Sequence, residues 1–382
     1  MKRFIIVLTA LLVVACGGGD KVKLDRADVA PKPLADFVTT VGLQRIWSRN
    51  VGANFDKRYL NLSPALDNGV VYIANSGGRI VATDIDTGAR LWAADLDTTL
   101  TAGVGHGPNT LIVALGDGKV AALARESGEV TWTQRVGGQV LARPIVERGI
   151  VIVRTVDGKL IGLQESDGAV RWQLRREVPG LSLRGDPEPV IYGDLVITGF
   201  ASGKLLASEL ESGKVIWEVN AANPRGRNEI ERLIDVDARP ILVGSVLYVA
   251  AYQGQLTALA TGSRRVLWTL ELSSYRDIEA DADNIYVVDG DDTITAVNRL
   301  TGRTVWQQDG LQRRRVTAPL TFSDFVVVAD AEGYMHVLDR QTGMFAGRIR
   351  IGSDGVRVTP IEIDGRVYVV SMDGSLTSIE IQ

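Results

Sequence analysis

Seven tryptophans punctuate the chain, at Trp47, Trp92, Trp132, Trp172, Trp217, Trp268 and Trp306, and there are no others. Their intervals are 45, 40, 40, 45, 51 and 38 residues. A period near 40 is the mark of a repeat architecture, in which each unit buries its apolar face only by stacking on its neighbours. Before each inner Trp stands the same phrase: a β-branched run, a turn, an alternating run, then a Gly turn. Val70 to Trp92 reads VVYIANSGGRIVATDIDTGARLW, and Val151 to Trp172 reads VIVRTVDGKLIGLQESDGAVRW. Turn glycines fall ten apart within the phrase, as Gly78 and Gly88, Gly118 and Gly128, Gly158 and Gly168, Gly203 and Gly213, and Gly333 and Gly343. They account for much of the Gly content, 41 residues or about 11 per cent against a usual ~7 per cent.

Each phrase predicts three strands joined by two tight turns. A fourth strand precedes them and often opens with Pro, at Pro64, Pro144, Pro189, Pro240, Pro319 and Pro360. Proline is tolerated at the first residue of a strand or on an edge, where its missing N–H leaves no gap in a ladder. Four strands in about 43 residues is a propeller blade. Units centred on Trp92, Trp132, Trp172, Trp217, Trp268 and Trp306 make six. A seventh runs from Val316 to about Arg350 with Gly347 in the Trp position, and an eighth begins at Val356 with only three strands. Its outer strand is supplied from the other end of the chain by Leu43–Ser48, which contains Trp47. The expected fold is therefore all-β: an eight-bladed β-propeller over residues 42–382, four antiparallel strands per blade, closed by the N-terminal strand. The tryptophans read as structural, covering the gap between neighbouring blades.

Ahead of the propeller, Lys2 and Arg3 precede about 12 apolar residues, a length that suits a signal peptide and falls short of the roughly 20 needed to span a bilayer. The stretch ends in Val13-Val14-Ala15-Cys16, which resembles the bacterial lipobox. That resemblance implies a signal peptide over 1–15 and a lipidated Cys16, the chain's only cysteine. Two or more acyl chains hold a protein stably where one is marginal. Gly17 stands where an Asp would retain such a protein at the inner membrane, which favours the outer membrane. Residues 16–41, with Pro31 and Pro33, read as a flexible tether of roughly 27 Å root-mean-square span.

Other chemistries find little support. Removing Lys2 and Arg3 moves the formal charge from −4 to −6, which gives no electrostatic reason to seek nucleic acid. His106 and His336 fall in different blades, and with Cys16 lipidated no thiolate or imidazole cluster can hold zinc or copper. Asp289-Gly290-Asp291-Asp292 looks faintly like a calcium loop, but Leu300 stands where an EF-hand has its bidentate Glu. Gly103-Val104-Gly105-His106-Gly107 opens no helix, so it is a poor phosphate cradle. There is no G-x-S-x-G elbow. The basic run Arg313-Arg314-Arg315 reads as a solvated loop.

The repeat itself, with Ala82-Thr83-Asp84 followed by Thr87-Gly88-Ala89-Arg90-Leu91-Trp92, resembles that of the pyrroloquinoline-quinone dehydrogenases. That likeness implies a rival reading, a periplasmic quinoprotein or ligand-binding propeller using the axial funnel. The family's cysteine pair is missing, and a shared blade does not imply shared chemistry. A fuller resemblance covers the whole chain: lipobox, tether, eight blades and closing strand are similar to the BamB family of the β-barrel assembly machinery. Leu181-Ser182-Leu183-Arg184-Gly185 and Asp235-Val236-Asp237 match that family's L-S-L-R-G and D-x-D segments. The resemblance implies a non-enzymatic scaffold without cofactor or metal. It further implies that Leu181, Leu183, Arg184, Asp235 and Asp237 bind BamA through its POTRA domains, and that unfolded outer-membrane proteins are possible partners.

Spacing points to the same place. The intervals Trp172–Trp217 and Trp217–Trp268 are long, and their extra residues fall in 173–188 and 218–238, two outer-to-inner connections of consecutive blades. Loops on a rigid scaffold are where binding residues concentrate. Exposed, two leucines beside an Arg and two Asp make an apolar centre with charged register pins. The alternative is that the leucines tuck under the loop and Asp235 caps a turn.

Overall fold

The computed structural model describes residues 30–51, 62–178, 187–200, 203–222 and 235–382, and among them every regular element is a strand. The strands pair into eight four-stranded sheets. Blades 1 to 7 are contiguous in sequence, at 65–95, 105–135, 145–175, 190–220, 241–270, 279–308 and 320–350. Blade 8 joins 361–381 to the N-terminal strand Leu43–Asn50, which pairs antiparallel with Ser375–Ile381 from Leu43 opposite Ile381 to Asn50 opposite Ser375. The eight-bladed ring and its closure by the chain's own start are as the repeats predict.

Position in the blade explains the strand patterns. The second and third strands of blade 1, Val70–Ala74 and Arg79–Asp84, are buried along almost their whole length because a neighbouring blade covers each face. The outer strand Arg90–Asp95 alternates between exposed and half-buried. Apolar side chains gather into eight clusters, one at each junction between adjacent blades. The six prolines directly precede the short inner strands, as with Pro64 before Ala65–Asp67 and Pro144 before Ile145–Glu147, so each lies just outside the ladder.

The tryptophans join one blade to the next. Each of six sits against the turn glycine of the following blade: a Cβ on Gly128 would lie 2.6 Å from Trp92, and one on Gly168 2.5 Å from Trp132. These glycines also hold a left-handed φ, +76° at Gly128 and +74° at Gly168, so both space and backbone require them. The indole N–H of Trp92, Trp132, Trp172, Trp268 and Trp306 donates to a carbonyl of that same turn at 2.7–3.0 Å. Opposite each of these Trp residues the third strand carries Ala or Gly, as with Ala82 opposite Trp92 and Gly162 opposite Trp172. A β-bulge follows at this point in each blade. Ring closure protects the chain's ends, but the outer strands stay edges, and a bulge makes each a poor template for further pairing.

Two blades depart from the pattern, each with a visible substitute. Blade 5 has Arg264 at φ +59° where other blades have the turn glycine. In blade 7 a Cβ on Gly347 would lie 2.8 Å from Val41 and 3.0 Å from Leu43, so residues of the N-terminal segment occupy the space a Trp fills elsewhere.

Candidate partner-binding site

The two long connections begin side by side. Arg176, just past the outer strand of blade 3, pairs with Glu218 in the outer strand of blade 4 (Nε–Oε2 3.0 Å), and Lys204 pairs with the other Glu218 oxygen at 2.8 Å. The hydrogen bond from Lys204, joined by that from Arg176, holds the Glu218 carboxyl below the usual range against a smaller effect of burial. Exposed pairs of this kind contribute at most about 1 kcal/mol, so their role here is register between the two connections.

Leu181, Leu183 and Arg184 lie outside the described residues, as does Cys16. Asp235 and Asp237 are described, at the approach to the inner strand of blade 5. The Asp235 carbonyl accepts the Tyr252 N–H at 2.9 Å in an antiparallel bridge. Val236 is packed over Gly199 within the apolar junction of blades 4 and 5. The side chains of Asp235 and Asp237 are buried, at 3% and 9% exposure. They therefore form the base of the 218–238 connection and do not project as charged pins.

Residues absent from the sequence reading flank this base. Tyr252 meets Tyr275 edge-on at 6.4 Å, and Tyr275 is 45% exposed. The Arg276 guanidinium lies 4.6 Å from the Tyr275 ring centre, locked by Asp292 Oδ1 and the Asp289 carbonyl, each at 2.6 Å. The tyrosines come from different loops, so no local motif announces them. The same contacts account for the faint calcium motif: Asp292 holds Arg276 and the N–H groups of Arg315 and Val316, and Asp289 holds those of Asp291 and Thr293.

The axial funnel has an uneven rim. Two residues before each inner strand stand Ser63, Gly103, Arg143, Glu188, Arg239, Asp277, Ala318 and Thr359 in blade order. Four consecutive blades thus alternate in charge at this position, where the other four carry neutral residues. Arg143 pairs with Glu188 at 2.6 Å, and the Arg239 main-chain N–H donates to Asp277 at 2.7 Å. Burial pushes the carboxyls of Asp277 and Glu279 up, while burial and then Arg143 push the His106 imidazole down. Among the described residues no three His, Cys, Asp or Glu converge in a metal-binding group. The basic run at 313–315 needs correction: Arg314 is 6% exposed and pairs with the fully buried Asp330 at 2.7 Å, so it belongs to the interior and not to a solvated loop.

Comparison with known proteins agrees with this architecture. The family model described as outer membrane protein assembly factor BamB matches residues 76–308 and 290–382. The protein of that name from Pseudomonas aeruginosa is 39% identical over 381 residues, covering 100% of this chain and 99% of the relative. The crystal structure of BamB from Moraxella catarrhalis superposes with a TM-score of 0.81 at 27% identity, over 89% of this chain and 100% of that one. A quinohemoprotein alcohol dehydrogenase from Comamonas testosteroni also superposes, with a TM-score of 0.72 over 88% of this chain and 76% of that one. Its 13% identity carries the likeness of fold alone. With 39% identity over its full length to one assembly factor and a family model matched along most of the chain, this chain belongs to the BamB family of outer membrane protein assembly factors.

Proposed function

We propose that this chain is a non-enzymatic lipoprotein scaffold of the β-barrel assembly machinery, anchored in the outer membrane through acylated Cys16 with its propeller in the periplasm. It binds the POTRA domains of BamA through the connections 173–188 and 218–238. Leu181 and Leu183 supply the apolar centre, Arg184 the charged pin, and Asp235 and Asp237 the buried base that holds the second connection in place. Unfolded outer-membrane proteins are its further partners, passed to the insertase it holds.

The observation that carries this reading is the pairing of Arg176 with Glu218, which brings the two long connections together on one face of a rigid ring. The Tyr252–Tyr275 pair beside Asp235 adds preformed aromatic surface of the kind that dominates interface energetics. Against an enzyme of the funnel, Glu188 is held by Arg143 and Asp277 accepts a main-chain N–H. The test is the double variant Leu183→Ala with Arg184→Ala, which should abolish co-purification with BamA and leave thermal unfolding unchanged. Normal binding by the folded double variant would remove the site from consideration.

A further inference from the structure

Residues 30–41, expected as the last part of the tether, run across the outside of blades 6 and 7. At one end the Lys32 N–H donates to the Gln312 carbonyl at 2.9 Å, and its ammonium pairs with Asp309 at 3.1 Å. Leu34 packs against the apolar junction of blades 6 and 7. Phe37 meets Phe345 at 5.4 Å between ring centres. The N–H groups of Thr40 and Val41 both donate to the Ala346 carbonyl, at 2.8 and 3.3 Å, just before the chain enters blade 8.

The groove beneath is built from buried charge. Asp330 Oδ2 receives Arg314 Nε at 2.7 Å and lies 2.9 Å from His336 Nε2. Arg348 Nε donates to His336 Nδ1 at 3.2 Å, so the imidazole is neutral, with its proton on Nε2 facing Asp330. Both arginines then reach outward to the N-terminal segment. Arg314 Nη1 donates to the Lys32 carbonyl and Arg348 Nη1 to the Ala35 carbonyl, each at 3.2 Å. The Arg348 guanidinium also lies 4.9 Å from the Phe37 ring and 5.4 Å from that of Phe345. Without the segment both donors would exchange a carbonyl for water, and the apolar surface beneath Leu34 would be uncovered.

Lys32 sits on the blade 6 to blade 7 connection, at Asp309 and Gln312. That is an outer-to-inner connection, as are 173–188 and 218–238, so all three emerge on the same face of the ring. We propose that residues 30–41 are a strap, seated between blades 6 and 7, from which the propeller hangs. The strap makes the anchor leave on the face that carries Asp235 and Asp237. It also shortens the leash: a fully extended chain reaches about 50 Å from Cys16 to Ala30, against about 90 Å from Cys16 to Gly42. The hanging geometry rests on acylation of Cys16, whereas the strap does not.

The experiment uses the full lipidated chain in vesicles of phosphatidylethanolamine and phosphatidylglycerol. Chymotryptic cleavage after Phe37 should be at least tenfold slower in the native protein than in Leu34→Asp or Arg348→Ala. Leu34→Asp alters only the strap, so its unfolding temperature reports that the ring is intact. A fluorophore on Glu332→Cys, in blade 7, should transfer energy to a bilayer acceptor more strongly than one on Ser166→Cys, in blade 3 across the ring and on the other face. Adding Arg348→Ala should remove the difference. Cleavage of the native protein as fast as that of Leu34→Asp would overturn the strap, and equal transfer from the two labels would overturn the hanging geometry. An unacylated Cys16, read from the mass of the mature N-terminal peptide, would overturn the anchor, while the cleavage rate still reads the strap by itself.

Discussion

Arg264 shows how a single residue can depart from the repeat without breaking it. It holds φ +59° at the point where six other blades place a glycine beneath a Trp. A left-handed backbone costs a non-glycine residue roughly 1–2 kcal/mol, partly offset because glycine loses more entropy on folding. Arg264→Gly should therefore stabilise the protein, by up to about 1 kcal/mol in urea unfolding. A lower urea midpoint would show that the Arg264 side chain contributes more than its backbone costs. The turn itself was legible from the repeat period. So was the substitution, since Ser263-Arg264-Arg265 stands where the other blades carry the turn glycine; the left-handed φ of Arg264 is what the structure adds.

At the scale of elements, blade 7 is informative. Its missing Trp reads in sequence as a defect, and the structure shows the reason for it in Val41 and Leu43. Restoring the repeat with Gly347→Trp should therefore destabilise the ring. An indole there must displace two side chains already within 3.0 Å of a Cβ position, and overpacking of this kind typically costs about 1–3 kcal/mol. Urea unfolding measures the loss, and a stabilised variant would show that the N-terminal segment yields its place easily. The sequence places Leu43–Ser48 in blade 8, where the strand runs on to Asn50, but reads the dozen residues before it as loose tether. Their contacts pair a segment at the start of the chain with arginines some 300 residues later, and no local pattern encodes that.

At the scale of the whole molecule, two histidines, one buried and one half-buried, couple the ring to pH. His336 is fully buried, and burial outweighs its bond to Asp330 in pushing its pKa below the ordinary value. Burial lowers His106 in the same direction. The unfolded chain then binds more protons than the folded one below the ordinary imidazole pKa of about 6.5, so stability falls as pH drops through that value. Asp330 is pushed up by burial but held below the carboxylate range by His336, so its contribution is present above pH ~4 and is lost only in stronger acid. Asp277 and Glu279, raised by burial, act the other way, since the folded state takes up their protons more readily. The His336→Gln variant should accordingly show a shallower decline in urea midpoint between pH 7 and pH 5 than the native protein. Parallel declines would mean that His336 does not carry the effect.

The sequence alone determined the architecture, because a blade is a local object. Its strands, turns and Trp lie within one period, so seven tryptophans and paired glycines were enough to count the ring and find the strand that closes it. The sequence also located the two long connections, because an insertion in a regular repeat is visible as extra spacing. Only the tertiary structure decided which side chains meet across blades: Asp235 and Asp237 buried at the base of a loop, Tyr252 beside Tyr275, an arc of alternating charge on one half of the funnel, and Arg314 and Arg348 reaching the N-terminal segment. Those contacts arise because ring closure brings together positions whose separation in sequence bears no relation to their separation in space.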